Sequence, residues 1–224
     1  INMFKLRQHS LIVLSDSDIR VEKNYLKTIA ASLSEKNVGI VSFYYCGLPL
    51  KGVWSQLSAN QINYQFFPSA LLGTALGIEK PCFGSTLALT EDVLLQIGGF
   101  ERFSSELADD YAIGKKVLQS GKSIKMAPLL LKHSCSEESF LDYFQHLLRW
   151  SRTIRSVNPL GHFGSVVTYP LPFALFSIML NKNASISLTI FILALASRIL
   201  IAQQMFYKFK TDRKSTRLNS SHRT

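Results

Sequence analysis

The run from His162 to Asn181 carries no aspartate, glutamate, lysine or arginine, and it constrains the fold of this chain more than any other feature. About 20 such residues, rising about 1.5 Å each as a helix, span a hydrocarbon layer about 30 Å thick. Lipid offers no water to the backbone, so such a segment folds as a helix with its hydrogen bonds internal. A second uncharged run begins at Ala184, and its apolar pattern continues past Arg198 to Phe206. The pattern predicts two membrane helices, residues 162–181 and 184–206, joined by Asn181-Lys182-Asn183, with Tyr169-Pro170-Leu171-Pro172 kinking the first. A buried helical hairpin in a larger soluble protein is the competing reading. Residues 159–210 are thus assigned to a multi-pass membrane region and residues 1–158 to the domain before it.

Composition agrees with that division. Only 18% of the 224 residues are charged and 47% are hydrophobic, whereas a soluble domain carries about 25% charged residues. The net charge of +10 suits nucleic acid, an anionic membrane surface or phosphate-bearing substrates. Arg149, Arg152 and Arg155 stand just before the first apolar run and no basic-aromatic repeat occurs, which favours the latter two over nucleic acid. Residues 212–224 resemble a translated sequencing adapter and are set aside as an artefact; without them the net charge falls to +7. Cys46, Cys82 and Cys135 are odd in number and scattered, indicating neither a disulfide framework nor a zinc site and favouring a reducing, cytosolic face. The chain opens at Ile1-Asn2 and reaches an apolar strand within about ten residues, which reads as a fragment of a longer protein.

Before the membrane region, strands and helices alternate. Leu11-Ile12-Val13-Leu14 is a short apolar run ending at a polar turn, as a buried strand does. Val21, Tyr25, Leu26, Ile29, Ala30 and Leu33 follow helical spacing, with Gly39 just past the helix end. Further strands are predicted over residues 38–45, 83–89 and 123–131. Helices are predicted from Thr90 to Gly98-Gly99-Phe100 and from Ser104 to Gly121, the latter with Leu107, Tyr111, Val117 and Leu118 on one side. Ser134-Cys135-Ser136-Glu137 fits a capping box opening a helix through Phe140, Phe144, Leu147 and Leu148. Residues 51–72, rich in aromatics and amides, suit a substrate-facing helix and loop or plain core. Such alternation predicts an α/β domain with a mostly parallel sheet.

Three groups of residues carry chemistry. Asp16-Ser17-Asp18 places two carboxylates two residues apart at a strand end, where open α/β sheets bind ligands. Both can reach one Mg²⁺ or Mn²⁺ ion shared with substrate phosphates, although such pairs also serve as turn and cap residues. Asp109-Asp110 stands in the first turns of a helix, either as helix-end electrostatics or with one carboxylate as a general base. Gln145 and Arg149 are four apart on a helix, and Arg149 offers a bidentate grip on phosphate. Trp150 supplies a flat apolar surface for a sugar or lipid. An amphipathic helix lying on the membrane accounts for the same pattern.

Taken together, Asp16-Ser17-Asp18, then Leu107-Ala108-Asp109-Asp110-Tyr111, then Gln145-His146-Leu147-Leu148-Arg149-Trp150 before apolar helices resembles the ceramide glucosyltransferase family. Phe83-Gly84-Ser85-Thr86-Leu87-Ala88-Leu89 followed by Gly98-Gly99-Phe100 also matches, and the Asp-Asp-Tyr form is similar to a bacterial branch that includes enzymes acting on hopanoid lipids. The resemblance runs from about Ile1 to about Phe206. It implies a GT-A fold, truncated at its N-terminal side, since the family's earlier nucleotide-holding aspartate and glycine-rich region have no counterpart here. It implies metal and donor-diphosphate binding by Asp16 and Asp18, with Asp110 as catalytic base beside Asp109. It also implies that Gln145, Arg149 and Trp150 close over donor and acceptor, while His146 occupies a variable, surface position. The implied reaction is an inverting transfer of a hexose from a UDP-sugar to a lipid hydroxyl, with the catalytic domain on the cytosolic face of a bacterial inner membrane or, in a eukaryote, a Golgi-type membrane. A processive polysaccharide synthase of the cellulose or hyaluronan type and a non-catalytic membrane scaffold are the alternatives.

Overall fold

The computed structural model describes residues 2–77, 82–180 and 183–221, with the backbone alone at residues 2, 3, 206 and 208–221. Asn181 and Lys182 of the expected interhelical joint lie outside the described residues, as do positions 222–224 of the adapter-like run. The side chains of the rest of that run are likewise not described.

Two mixed sheets form the first domain. One has the order β1 (Leu11–Ser15), β5 (Thr86–Thr90), β3 (Val38–Ser42), β6 (Ser123–Met126); the other has β2 (Ile19–Arg20), β7 (Leu131–Cys135), β4 (Tyr45–Pro49). Strands alternate their faces with period two, and the core follows that rule. Ile40, Leu87 and Leu89 enter one buried cluster, with Val93, Leu94, Ile113 and Val117 from the helices on that side. Val41 and Ala88 point the other way, to Tyr25, Ile29, Phe43, Tyr45 and Leu131.

The expectation of a mostly parallel sheet fails. In the first sheet only β3 and β6 run parallel, while β5 is antiparallel to both β1 and β3. The cause lies where β5 begins. Ser15, the last residue of β1, pairs with Thr86, the first of β5. Ser42, the last residue of β3, accepts the Phe83 N–H at its Oγ (2.9 Å). The chain thus reaches β5 at the C-terminal ends of β1 and β3 and must run back between them. The predicted strands 38–45 and 123–131 each divide, continuing as β3 then β4 and as β6 then β7, and both pairs stay parallel across the break.

Helix boundaries shift for local reasons. Helix α1 is Tyr25–Leu33 and buries Tyr25, Ile29 and Ser32, leaving Leu26 60% exposed. Gly39 lies inside β3; it is Asn37, at φ +67°, that turns the chain after α1. Helix α2 (Gly52–Gln61), a π-helical turn (Ile62–Phe66) and α3 (Phe67–Ala75) form one continuous helical stretch. Helix α4 (Glu91–Gln96) is capped by Thr90. Helix α5 (Asp109–Gln119) buries Ile113, Gly114 and Val117, whereas Leu107 and Tyr111 face outward, and Gly121 at φ +83° stops it as expected. The capping box of α6 (Phe140–Val157) is Ser139 with Asp142, not Ser134 with Glu137; Ser134 and Cys135 belong to β7.

Beyond α6 come α7 (Pro159–Gly164), a 3-10 turn (Ser165–Thr168), α8 (Pro170–Leu180) and α9 (Ala184–Ser221). Among the described residues one helix is long and apolar enough to cross a membrane, Ala184–Met205 with mean hydropathy 2.1. The first expected span is broken, as Tyr169-Pro170 foretold: residues 159–168 and 170–180 meet at 65°. Helices α8 and α9 pack through small residues, with Ala174 and Ser187 buried and Ser187 Oγ donating to the Ser177 carbonyl (3.0 Å).

Candidate active site

The C-terminal end of β1 releases the chain into a tight turn whose residues are Asp16, Ser17 and Asp18. Backbone bonds hold it at both ends: the Asp16 N–H donates to the Ser85 carbonyl (3.3 Å) and the Ser134 N–H to the Asp18 carbonyl (2.9 Å). The pair therefore sits between the two sheets, with the start of β5 on one side and β7 on the other. His133 on β7 brings Nδ1 within 3.4 Å of Asp18 Oδ1, an oxygen that is screened from solvent and accepts no hydrogen bond among the described residues.

Asp110 comes to the same edge from α5. Its Oδ2 accepts the Gly84 N–H (2.7 Å), and its Oδ1 accepts the Tyr111 N–H (2.7 Å). Gly84 has no side chain for a reason: a Cβ there would sit 3.1 Å from Asp110 Oδ2. Asp109, exposed beside it, accepts the Asp110 N–H at Oδ1 (2.9 Å).

The carboxylates act on one another's ionisation. Burial raises the Asp110 pKa; the N–H donors of Tyr111 and Gly84 oppose the rise and Asp109 adds to it. Partial burial also raises Asp16, with the charges of Asp18, Asp110 and Asp109 adding and His133 opposing. The buried Tyr45 phenol is pushed up by desolvation and then by Asp110, Asp16 and Asp18. A cluster of like charges, one of whose screened oxygens accepts no hydrogen bond among the described residues, suits a hard divalent cation. Among the described residues no group of three or more His, Cys, Asp or Glu side chains converges on a metal position, so Asp16 and Asp18 would share the ion with oxygens from elsewhere.

The third group is brought to the site only in part. Trp150 turns inward, its ring 5.8 Å from Phe66 and 4.8 Å from His146. Phe66 also packs on Phe83 (5.3 Å), the residue before Gly84, so aromatic contacts run unbroken from α6 to the neighbour of Asp110. Gln145 and Arg149 lie on another flank of α6, where with Leu107, Leu148, Arg152 and Thr153 they line a cleft of about 490 Å³. Leu107 joins this cleft to the turn before Asp109-Asp110. Among the described residues no hydrogen bond or ion pair links Gln145 or Arg149 to Asp16, Asp18, Asp109 or Asp110.

His146 is not a surface residue. Its side chain is 16% exposed and Nδ1–H donates to Glu137 Oε1 (2.5 Å), which also accepts from Ser58 Oγ (2.8 Å). Burial raises the Glu137 pKa, but its own N–H, Ser58 and His146 outweigh that and leave it lowered. His133 escapes the sequence reading, because a lone histidine in a strand carries no spacing signal, and Glu137 enters it only as a capping-box residue, whereas the fold pairs it with Ser58 and His146. The one available hint was His146, four residues before Trp150 on a shared helix face.

Against this geometry, a family model described as Glycosyl transferase family 21 matches residues 1–220.

Proposed function

The chain belongs to glycosyl transferase family 21 and is a glycosyltransferase; from that premise we propose that it moves a hexose from a UDP-sugar to the hydroxyl of a membrane lipid in a ceramide glucosyltransferase-like reaction. The observation that carries this reading is the setting of Asp110. Its carboxylate is aimed by two backbone N–H groups, and its pKa is raised by burial at the edge where Asp16 and Asp18 stand. Each oxygen spends one lone pair on those donors and keeps another. A carboxylate so placed takes the proton from an acceptor hydroxyl as that oxygen attacks the anomeric carbon from the face opposite the leaving diphosphate. One displacement of this kind inverts the configuration.

Asp16 and Asp18 would hold Mg²⁺ or Mn²⁺ together with the donor diphosphate, and Asp109 adds a nearby negative charge. The ion supplies charge neutralisation at the departing phosphate. Trp150, supported by Phe66 and His146, offers its remaining face to the acceptor, and Gln145 and Arg149 bind phosphate from α6. The two mixed sheets, with strand ends meeting at Asp16 and Gly84, support a GT-A-type domain. Helix α9 spans the membrane, the bent pair α7–α8 enters it as a second, broken segment, and the catalytic domain faces the cytosol. Apolar residues exposed along α8 and α9 outside their mutual contact, among them Phe173, Phe176, Met179, Ile192 and Leu193, support lipid contact.

In membranes carrying the full-length protein, Asp110→Asn should abolish transfer of radiolabelled sugar while leaving UDP binding intact. Turnover within a few-fold of the parent would sink the base assignment.

A further inference from the structure

Helix α6 carries Gln145, Arg149 and Trp150, yet apolar packing alone fixes its roll only weakly. All 18 of its residues, Phe140–Val157, are half-exposed or exposed. Successive helix residues point about 100° apart, so the direction of one side chain sets the direction of the others. A polar fastening supplies that direction. His146 Nδ1–H donates to Oε1 of Glu137 (2.5 Å), a buried carboxylate in the loop between β7 and α6. The same oxygen accepts the Ser58 hydroxyl of α2 (2.8 Å), so the anchor is itself held by a different helix. A well-packed apolar contact would stabilise the fold as well as a buried charge does. Hydrogen bonds add direction.

His146 also belongs to a closed circuit of aromatic rings. It meets Trp150, one turn on along α6, nearly at right angles (4.8 Å, 79°). From Trp150 the contacts pass to Phe66 on the π-helical turn (5.8 Å), to Tyr45 on β4 (5.1 Å), to His133 on β7 (5.8 Å) and back to His146 (6.4 Å). His133 Nδ1 lies 3.4 Å from Asp18 Oδ1, and Phe66 packs on Phe83 beside Gly84, which bonds Asp110. The circuit therefore joins the residues of α6 to both acidic groups of the site.

We propose that Glu137 and His146 are positioning residues of this glycosyltransferase: the bond between them fixes the roll of α6, so that Trp150 faces inward while Gln145 and Arg149 face the flanking cleft. Side-chain tips stand about 5–6 Å from a helix axis, so a roll of about 10° carries them about 1 Å. A displacement of that size costs about a hundredfold in rate. The pair acts through Trp150 and Arg149, whose roles rest on the lipid-transferase reading; the fastening of α6 does not.

The test compares His146→Phe and His146→Asn in the full-length protein in nanodiscs. Phenylalanine keeps a ring and loses the donor, whereas asparagine loses the ring and keeps a donor in the place of Nδ1. Glu137 retains Ser58 in both, and thermal unfolding should show both variants folded. His146→Phe should lower kcat about tenfold or more, and should weaken UDP binding, read separately by calorimetry, in parallel. His146→Asn should restore both to within about twofold of the parent, because it keeps the hydrogen bond. Combined with Trp150→Phe, His146→Phe should cost kcat little more than Trp150→Phe alone, since both losses pass through one side chain. A His146→Asn variant as impaired as His146→Phe, or losses in His146→Phe and Trp150→Phe that multiply, overturns the proposal and leaves the lipid-transferase reading standing. UDP binding that follows the His146 series in a parent that transfers no sugar to lipid keeps the positioning and overturns that reading.

Discussion

Gly84→Ala is the sharpest probe of the base, because it leaves every ionisable group in place. The added Cβ lands 3.1 Å from Asp110 Oδ2, inside the 3.4–4 Å of an ordinary contact, so the carboxylate must retreat by a few tenths of an ångström. The same oxygen holds the 2.7 Å hydrogen bond from the Gly84 N–H, which the retreat stretches. A misplacement of about 1 Å costs about a hundredfold in rate, so a shift of this size should lower kcat roughly tenfold, or about 1.4 kcal/mol in the barrier. The Gly84 bond stabilises the charged carboxylate and lowers its pKa. Weakening it raises that pKa, and the acidic limb of the kcat/KM profile should move to higher pH. Gly84 has no positive φ, so alanine also restricts the unfolded chain and should not lower the melting temperature. The assay is radiolabelled transfer from a UDP-sugar to membrane lipid across pH, with thermal unfolding alongside. Activity within twofold of the parent and an unmoved acidic limb would refute the claim that Gly84 aims Asp110.

Three further outcomes are expected. Asp18→Ala should remove both activity and its dependence on added Mg²⁺ or Mn²⁺, and a parent enzyme that works equally well in chelator would contradict the metal role. Glu137→Ala should cost about 1–3 kcal/mol in unfolding free energy, since it strands the buried Ser58 hydroxyl and the His146 N–H; its lowered pKa means that this contribution is present above the unfolded glutamate pKa and is lost as pH falls through the folded one, so the difference from the parent should vanish in acid, as denaturant titrations at several pH values will show. Alkaline carbonate extraction should leave the protein in the membrane pellet, and release to the supernatant would overturn α9 as a span.

The sequence by itself determined the local matters. An apolar run ending in Asp16-Ser17-Asp18 reads as a short strand giving way to an acidic turn, and β1 is that strand, although it lies half-buried at the edge of its sheet rather than buried within it. An uncharged run broken by Tyr169-Pro170 had to bend there, because proline lacks the N–H that the helix needs. The order of the three motifs along the chain was enough for the family. Tertiary structure decided what depends on distant partners. The direction of β5 followed from where residues 83–85 deliver it, and no periodicity encodes direction, since an alternating strand reads the same either way. The predicted helix from Ser104 begins only at Asp109, leaving Leu107 outside it, and Tyr111 faces outward on α5 while Asp110 bonds Gly84. The contact of Asp18 with His133 and the hydrogen bonds from His146 and Ser58 to Glu137 join residues 115, 9 and 79 positions apart. Spacing rules reach only about one or two helical turns, and only the folded chain brings such residues within hydrogen-bonding distance.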